Sequence, residues 1–153
     1  MSDPSPSPAS RRTGAPQASP SEASYPELQN ARILVVDDER LVLSVVRRML
    51  ERTGAQVVAA NSPFEAQQHF DAATEPFDLV LTDIVMPGLD GVDLVSRLHA
   101  SRPGQPVVFM TGWSSHTSNG ASLAGPLVTK PFTSEELLGT LNQVLLQTRS
   151  DHD

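Results

Sequence analysis

The sequence predicts an α/β fold in which helices cover both faces of a parallel sheet. Between residues 31 and 148, short apolar runs rich in Val, Ile and Leu alternate five times with helix-like segments. The first run, residues 33–36, is apolar throughout, as expected of a strand that is buried on both faces. Because right-handed crossovers place the intervening helices on the two faces of the sheet, five such units predict a parallel α/β domain.

The first two units carry boundary signals. Gly54 lies where the C-cap of the first helix is expected, and residues 56–60 predict a second strand. Ser62 and Glu65 then form a capping box with Pro63 at the first helical position, which predicts the start of the second helix. The apolar residues of the first helix recur at helical spacing: Val42, Val45, Val46, Met49 and Leu50.

The third and fourth units end in polar residues. Residues 77–82 predict the third strand, with Asp83 at or just past its end, and residues 86–91 form a turn. Residues 106–110 predict the fourth strand, which ends at Thr111. The third helix carries apolar residues at Val92, Val95 and Leu98.

The last unit is short. Residues 112–125 are rich in Gly and Ser and predict at most a short helix. Residues 127–129 predict the fifth strand, and Lys130 follows it directly. Residues 133–136 form a second capping box, which opens a helix with one apolar face: Leu137, Leu141, Val144 and Leu145.

Composition divides the chain into a tail and one domain. Residues 1–30 contain six prolines, seven serines and four alanines. Such a segment buries too little apolar surface to offset the entropy of ordering it, so we expect it to be disordered. Residues 31–148 are predicted to form the domain, and residues 149–153 a short C-terminal tail.

Charge and composition argue against several classes of protein. A net charge of −7 does not suit a nucleic-acid binder, which needs a basic surface. The chain has no cysteine, which excludes disulfides and thiolate metal sites. No apolar run approaches the roughly 20 residues that span a membrane, and the N-terminus lacks the apolar stretch of a signal peptide. We therefore expect a cytoplasmic protein.

Five polar residues fall at one edge of the predicted sheet, where ligands of such folds bind. Three converging carboxylates would raise one another's pKa, and a divalent cation with oxygen ligands, such as Mg²⁺, relieves the repulsion. The five residues are Asp37 and Asp38 after the first strand, then Asp83, Thr111 and Lys130 at the ends of the third, fourth and fifth strands.

These residue types suit phosphoryl transfer to a carboxylate. A carboxylate can form an aspartyl phosphate, while a lysine and a threonine hydroxyl stabilise the phosphoryl oxygens. Each residue also has an ordinary interpretation: acids at a helix N-terminus, an acid in a turn, a strand-end hydroxyl and a surface lysine. Lys130 is the single lysine beside ten arginines. The meeting of all five residues at one edge favours a site.

Three motifs resemble the receiver domains of two-component response regulators. They are ILVVDDE at residues 33–39, LVLTDIVMPGLDG at residues 79–91 and VTKPF at residues 128–132. The resemblance covers residues 31–148 and implies a flavodoxin-like (βα)5 domain, a doubly wound sheet with strand order 2-1-3-4-5. It further implies phosphorylation by a histidine kinase or a histidine phosphotransfer protein, and signalling through protein–protein interaction.

The resemblance also assigns roles to the residues at the sheet edge. It implies that Asp83 is the phosphoacceptor and that Lys130 and Thr111 contact the phosphoryl oxygens. Beyond self-catalysed phosphorylation and dephosphorylation, it implies no enzymatic activity. It implies a Mg²⁺ cofactor held by three carboxylates and one carbonyl: Asp37, mainly through water, and directly Asp38, Asp83 and the backbone of Val85.

Two other functions remain open at this point: a pseudo-receiver that binds proteins without being phosphorylated, and a phosphohydrolase. Phosphohydrolases of this type commonly place a second acid two residues after the nucleophile, where this chain has Val85. The chain ends soon after Leu145, so we expect a stand-alone receiver or a fragment of a hybrid kinase, without a nucleic-acid or membrane partner. Leu127 occupies the position where many receivers carry an aromatic switch residue, and a monomer is expected.

Overall fold

The computed structural model describes residues 25–112 and 123–152. Its centre is a five-stranded parallel sheet in the order 2-1-3-4-5, which confirms the predicted doubly wound topology. β1 pairs with β2 on one side and with β3 on the other. The strands are β1 (Arg32–Val36), β2 (Gln56–Ala60), β3 (Leu79–Asp83), β4 (Val107–Thr111) and β5 (Leu127–Thr129).

Within the part of the chain that the structure describes, helices follow four of the five strands. The short helix predicted within residues 112–125 falls largely on residues 113–122, which lie outside the described residues. Across the described ranges, no helix combines the length and the apolar character needed to cross a membrane. The helices are α1 (Arg40–Glu51), α2 (Pro63–Ala72), α3 (Gly91–Ser101) and α4 (Ser134–His152), so the last helix continues past residue 148, the predicted end of the domain.

Both predicted N-terminal caps are present, but only the second is a complete capping box. At the first, the side chain of Glu65 accepts from the N–H of Asn61 at 2.8 Å and not from that of Ser62. The N–H of Glu65 donates to Ser62 Oγ at 3.0 Å, which caps α2. At the start of α4, the N–H of Glu136 donates to Thr133 Oγ1 at 3.0 Å, and the N–H of Thr133 donates to Glu136 Oε1 at 2.9 Å. The C-cap of α1 is Arg52, so Gly54 lies two residues beyond the cap and not at the predicted cap position. Gly54 has a φ of +91°, a left-handed conformation that glycine adopts without steric cost. Local chemistry therefore fixes where these helices begin and end.

The sheet divides the core into two layers because successive side chains of a strand point to opposite faces. Ile33 and Val35 pack with α1 and α4, whereas Leu34 and Val36 pack with α2 and α3. All four side chains are fully buried. This explains why the first strand is apolar at every position and cannot alternate with polar residues.

The structure differs from the predicted domain boundary at residue 31. A 3-10 turn, Pro26–Leu28, packs against the domain, and Leu28 is fully buried in the core. The N–H of Glu27 donates to Asn142 Oδ1 at 2.9 Å, and the Glu27 carboxylate forms an ion pair with Arg149 of α4. Composition could not show this, because one leucine and one glutamate anchor a stretch that is otherwise poor in large apolar residues.

We predict that Leu28→Ala lowers the free energy of unfolding by about 2–5 kcal/mol, because it removes a fully buried side chain and leaves a cavity. The matched control is Leu146→Ala on α4, where the leucine is 43% exposed and the loss should stay under about 1 kcal/mol. Urea unfolding of both variants measures the difference. Equal effects would mean that the 3-10 turn does not pack against the domain in solution.

Candidate functional site

The carboxyl edge of the sheet collects the side chains that the sequence analysis selected. Asp83 and Thr111 are the last residues of β3 and β4, while Asp37 follows β1 and Lys130 follows β5. Neighbouring strands end within one residue of each other. Asp83 pairs with Met110, the residue before the end of β4, and the last residues of β4 and β5 are partners. The parallel register therefore brings residues that are distant in sequence to one edge.

Lys130 lies between the carboxylates at this edge. Its Nζ is 2.8 Å from Asp37 Oδ2 and 3.3 Å from Asp83 Oδ2, and both contacts are hydrogen bonds as well as ion pairs. A third carboxylate oxygen, Oε1 of Glu39, is 3.6 Å away. Asp37 is fully buried, Asp83 is nearly so, and only 15% of the lysine side chain is exposed. Three charged groups thus meet with little water around them.

The second oxygen of each buried carboxylate is also engaged. Asp37 Oδ1 accepts a hydrogen bond from the N–H of Glu39 at 2.9 Å, and Asp83 Oδ1 accepts one from the N–H of Val85 at 3.3 Å. Helix capping does not account for the acids, because the N-cap of α1 is Glu39 and its side chain makes no cap hydrogen bond. The backbone therefore orients both carboxylates toward Lys130.

The pKa values of Asp83 and Lys130 are both raised, for different physical reasons. Burial raises the pKa of Asp83, and the nearby charge of Asp37 adds to this, while Lys130 works to lower it. Burial on its own lowers the pKa of Lys130, but the hydrogen bond that Lys130 donates to Asp37 and the charges of Asp37 and Asp83 outweigh this effect, so the pKa of Lys130 is raised. The charge of each group therefore counteracts the effect of burial on the pKa of the other.

The acidic side chains are close enough to share one cation. One carboxylate oxygen from each of Asp37, Asp38 and Asp83 lies within 4.8 Å of the others. Asp38 is exposed, so the cluster opens to solvent on one side. With Glu39, which pairs with Lys130, this edge holds four carboxylates and one lysine. Hard oxygen ligands with excess negative charge fit Mg²⁺.

Thr111 is placed at the same edge by β4. It is fully buried, and its backbone carbonyl accepts a hydrogen bond from the N–H of Lys130 at 2.7 Å. The peptide bond that follows Lys130 is cis. Val85 lies two residues beyond Asp83 with a half-exposed side chain. All the predicted site residues therefore gather at one edge, with Asp37, Asp83 and Lys130 in direct contact.

Sequence reasoning gave no role to two residues that the structure places at the site. Glu39 approaches Lys130, and the signal for it was the third acid of the run that starts at Asp37. Gly91 packs so closely on the β3–α3 loop that a Cβ would collide with the carbonyl oxygen of Asp83. Its N–H donates to the Ile84 carbonyl at 2.7 Å, which closes the loop.

Comparison with known proteins agrees with this geometry. Residues 33–142 match the family described as the response regulator receiver domain. The chain belongs to this family. Response regulator MprA of Mycobacterium ulcerans (strain Agy99) is 35% identical over 127 residues, which cover 81% of this chain and 54% of that protein. The alkaline phosphatase synthesis transcriptional regulatory protein PhoP of Bacillus subtilis (strain 168) is 31% identical over 119 residues, 76% of this chain and 49% of that protein.

Solved receiver domains have the same fold. A CheY-like receiver domain protein from Methanospirillum hungatei JF-1 is 29% identical with a TM-score of 0.69, over 79% of this chain and 98% of that chain. A receiver domain protein from Clostridium thermocellum is 28% identical with a TM-score of 0.68, over 78% and 98%. This chain thus covers almost the whole length of these solved receiver domains. It spans about half the length of the curated relatives it matches.

In this receiver domain, we predict that Gly91→Ala is destabilising by about 1–3 kcal/mol, because the added Cβ must push the Asp83 carbonyl or α3 aside. Gly139→Ala is the matched control. Gly139 lies inside α4 with open space around its Cα, so alanine there should stabilise by about 0.5–1 kcal/mol. Chemical denaturation compares the two. A neutral Gly91→Ala would show that the loop after Asp83 is not tightly held.

Proposed function

We propose that this receiver domain accepts a phosphoryl group on Asp83 in a Mg²⁺-dependent reaction and signals through protein–protein contacts. The observation that carries the proposal is the contact of Lys130 with two buried carboxylates at the sheet edge, 2.8 Å from Asp37 and 3.3 Å from Asp83. A carboxylate held in this way can act as a nucleophile next to a cation that will face the phosphoryl oxygens.

The proposed donor is a phosphohistidine of a histidine kinase or a histidine phosphotransfer protein. A carboxylate oxygen of Asp83 forms a bond to phosphorus while the bond between phosphorus and the imidazole nitrogen breaks. The electron pair of the broken bond stays with the imidazole, which takes up a proton. Lys130 and the hydroxyl of Thr111 are proposed to contact the phosphoryl oxygens, where positioning and charge stabilisation govern the rate.

The residues that would hold Mg²⁺ are Asp37, mainly through water, and directly Asp38, Asp83 and the backbone carbonyl of Val85. The cluster of three carboxylates within 4.8 Å of one another supports this set. When bound, Mg²⁺ would neutralise part of the negative charge on the carboxylates and on the incoming phosphoryl group. Lys130 supplies one positive charge and cannot by itself offset four acids and a phosphoryl dianion.

The alternative functions have less support. In a phosphohydrolase, an acid two residues after the nucleophile would serve as general base, but Val85 stands there and carries no titratable group. A pseudo-receiver without phosphorylation does not require a buried lysine that contacts two aspartates. We therefore propose that the domain does not turn over an external substrate. We also propose that the protein is cytoplasmic and monomeric, and that this domain does not contact nucleic acid.

The first test is the site of phosphorylation. We predict that acetyl phosphate with Mg²⁺ adds one phosphate to the wild type and none to Asp83→Asn, because the amide is not a nucleophile of the same kind. Asp71→Asn, at an exposed position of α2, serves as control and should be labelled like the wild type. Intact mass spectrometry reads the incorporation. Labelling of Asp83→Asn at the wild-type level would refute the assignment.

The second test concerns the metal and does not depend on phosphorylation. We predict that Mg²⁺ raises the thermal midpoint of the wild type, since a ligand at about 100 times its Kd stabilises the folded state by about 2.7 kcal/mol. Asp38→Asn should lose most of this gain, whereas Asp71→Asn should keep it. EDTA should return every variant to its metal-free midpoint. A thermal midpoint of the wild type that does not change when Mg²⁺ is added would contradict the proposed ligand set.

A further inference from the structure

Glu39 occupies an unusual place beside the acidic cluster. Its backbone forms the N-cap of α1, but its side chain makes no capping hydrogen bond to the helix. The carboxylate instead turns toward Lys130, with Oε1 3.6 Å from Nζ. The backbone N–H of Glu39 donates a hydrogen bond to Asp37 Oδ1 at 2.9 Å, which holds the backbone of Glu39 in place beside the site. The geometry therefore assigns this acid to Lys130 and not to the helix.

The three carboxylates around Lys130 differ in their freedom to move. Asp37 has a side-chain exposure of 0% and Asp83 of 8%, whereas Glu39 is 64% exposed. The two buried acids are held by backbone hydrogen bonds on their second oxygens. Glu39 is thus the exposed and adjustable partner of a lysine whose other partners are fixed.

We propose that Glu39 is a positioning residue that restrains Lys130 from the exposed side and competes with an incoming phosphoryl group for its ammonium. The inference rests on the proposed phosphorylation of Asp83. A phosphoryl group that reaches Asp83 brings oxygens toward Lys130, and the Glu39 carboxylate both occupies one direction of the ammonium and repels the dianion. Glu39 therefore lowers the rate of phosphorylation by small anionic donors.

The effect of Glu39 on the phosphorylation rate should be modest, because Glu39 is mostly exposed and exposed ion pairs are weak. We predict that Glu39→Gln increases the rate of phosphorylation by acetyl phosphate about two- to fivefold at low salt. The increase should shrink as salt is added, since exposed charges are screened. Glu51→Gln is the matched control: it removes the same charge from the other end of α1, where Glu51 pairs with Arg47 at 3.1 Å, and should leave the rate unchanged.

A second readout follows Lys130 directly. Because it is the only lysine of the chain, isotope-labelled lysine gives one set of side-chain NMR signals. We expect Glu39→Gln to shift the Nζ and Cε resonances in the absence of metal and donor, and Glu51→Gln to leave them in place. This measurement needs no phosphorylation, so it tests the contact between Glu39 and Lys130 even in a protein that takes up no phosphate.

The outcomes separate the two proposals. If the wild type takes up no phosphate, the proposed function fails, and the lysine signals still decide whether Glu39 contacts Lys130. If the wild type is labelled but Glu39→Gln is no faster, or is slower, Glu39 does not compete with the phosphoryl group and the inference is overturned. Unshifted lysine signals would overturn it as well, whereas a shifted lysine together with a faster, salt-sensitive rate supports it.

Discussion

The ion pairs of Lys130 with Asp37 and Asp83 are the constraint on which the rest of the site depends. Two carboxylates with almost no exposure to water repel each other unless a cation lies between them. Lys130 supplies that cation, with Nζ 2.8 Å from Asp37 Oδ2 and 3.3 Å from Asp83 Oδ2. The lysine side chain can be buried because its ammonium group is paired with both carboxylates. Removing either kind of group would leave the other without its buried counter-charge.

The sheet topology makes this arrangement possible. β1 and β3 are neighbours in the order 2-1-3-4-5, so the residue after β1 and the last residue of β3 meet at one edge. β5 lies two strands from β3, and a hydrogen bond from the N–H of Lys130 to the carbonyl of Thr111 anchors the start of the lysine at the end of β4. The long lysine side chain then bridges the remaining distance, which a shorter cationic group could not do.

The sequence was sufficient for what local patterns encode and insufficient for what depends on distant partners. The strands, the N-terminal helix caps and the edge position of Asp83 followed from apolar runs, turn residues and the rules of parallel sheets. The anchoring of Leu28 did not, because it needs a cavity formed by residues far along the chain. Helix phase was also underdetermined: Val92, named from the sequence as an apolar residue of the third helix, is 36% exposed, whereas Leu94 is fully buried.

The site also shows a division between fixed and adjustable charges. The buried acids define where Lys130 sits, and their second oxygens are tied to the backbone N–H groups of Glu39 and Val85. The exposed acids, Asp38 and Glu39, add negative charge beside the buried acids, on the side of the cluster that solvent can reach. A change at an exposed acid can therefore alter how the site meets a cation or an anion from solution, while the ion pairs that maintain its shape stay in place.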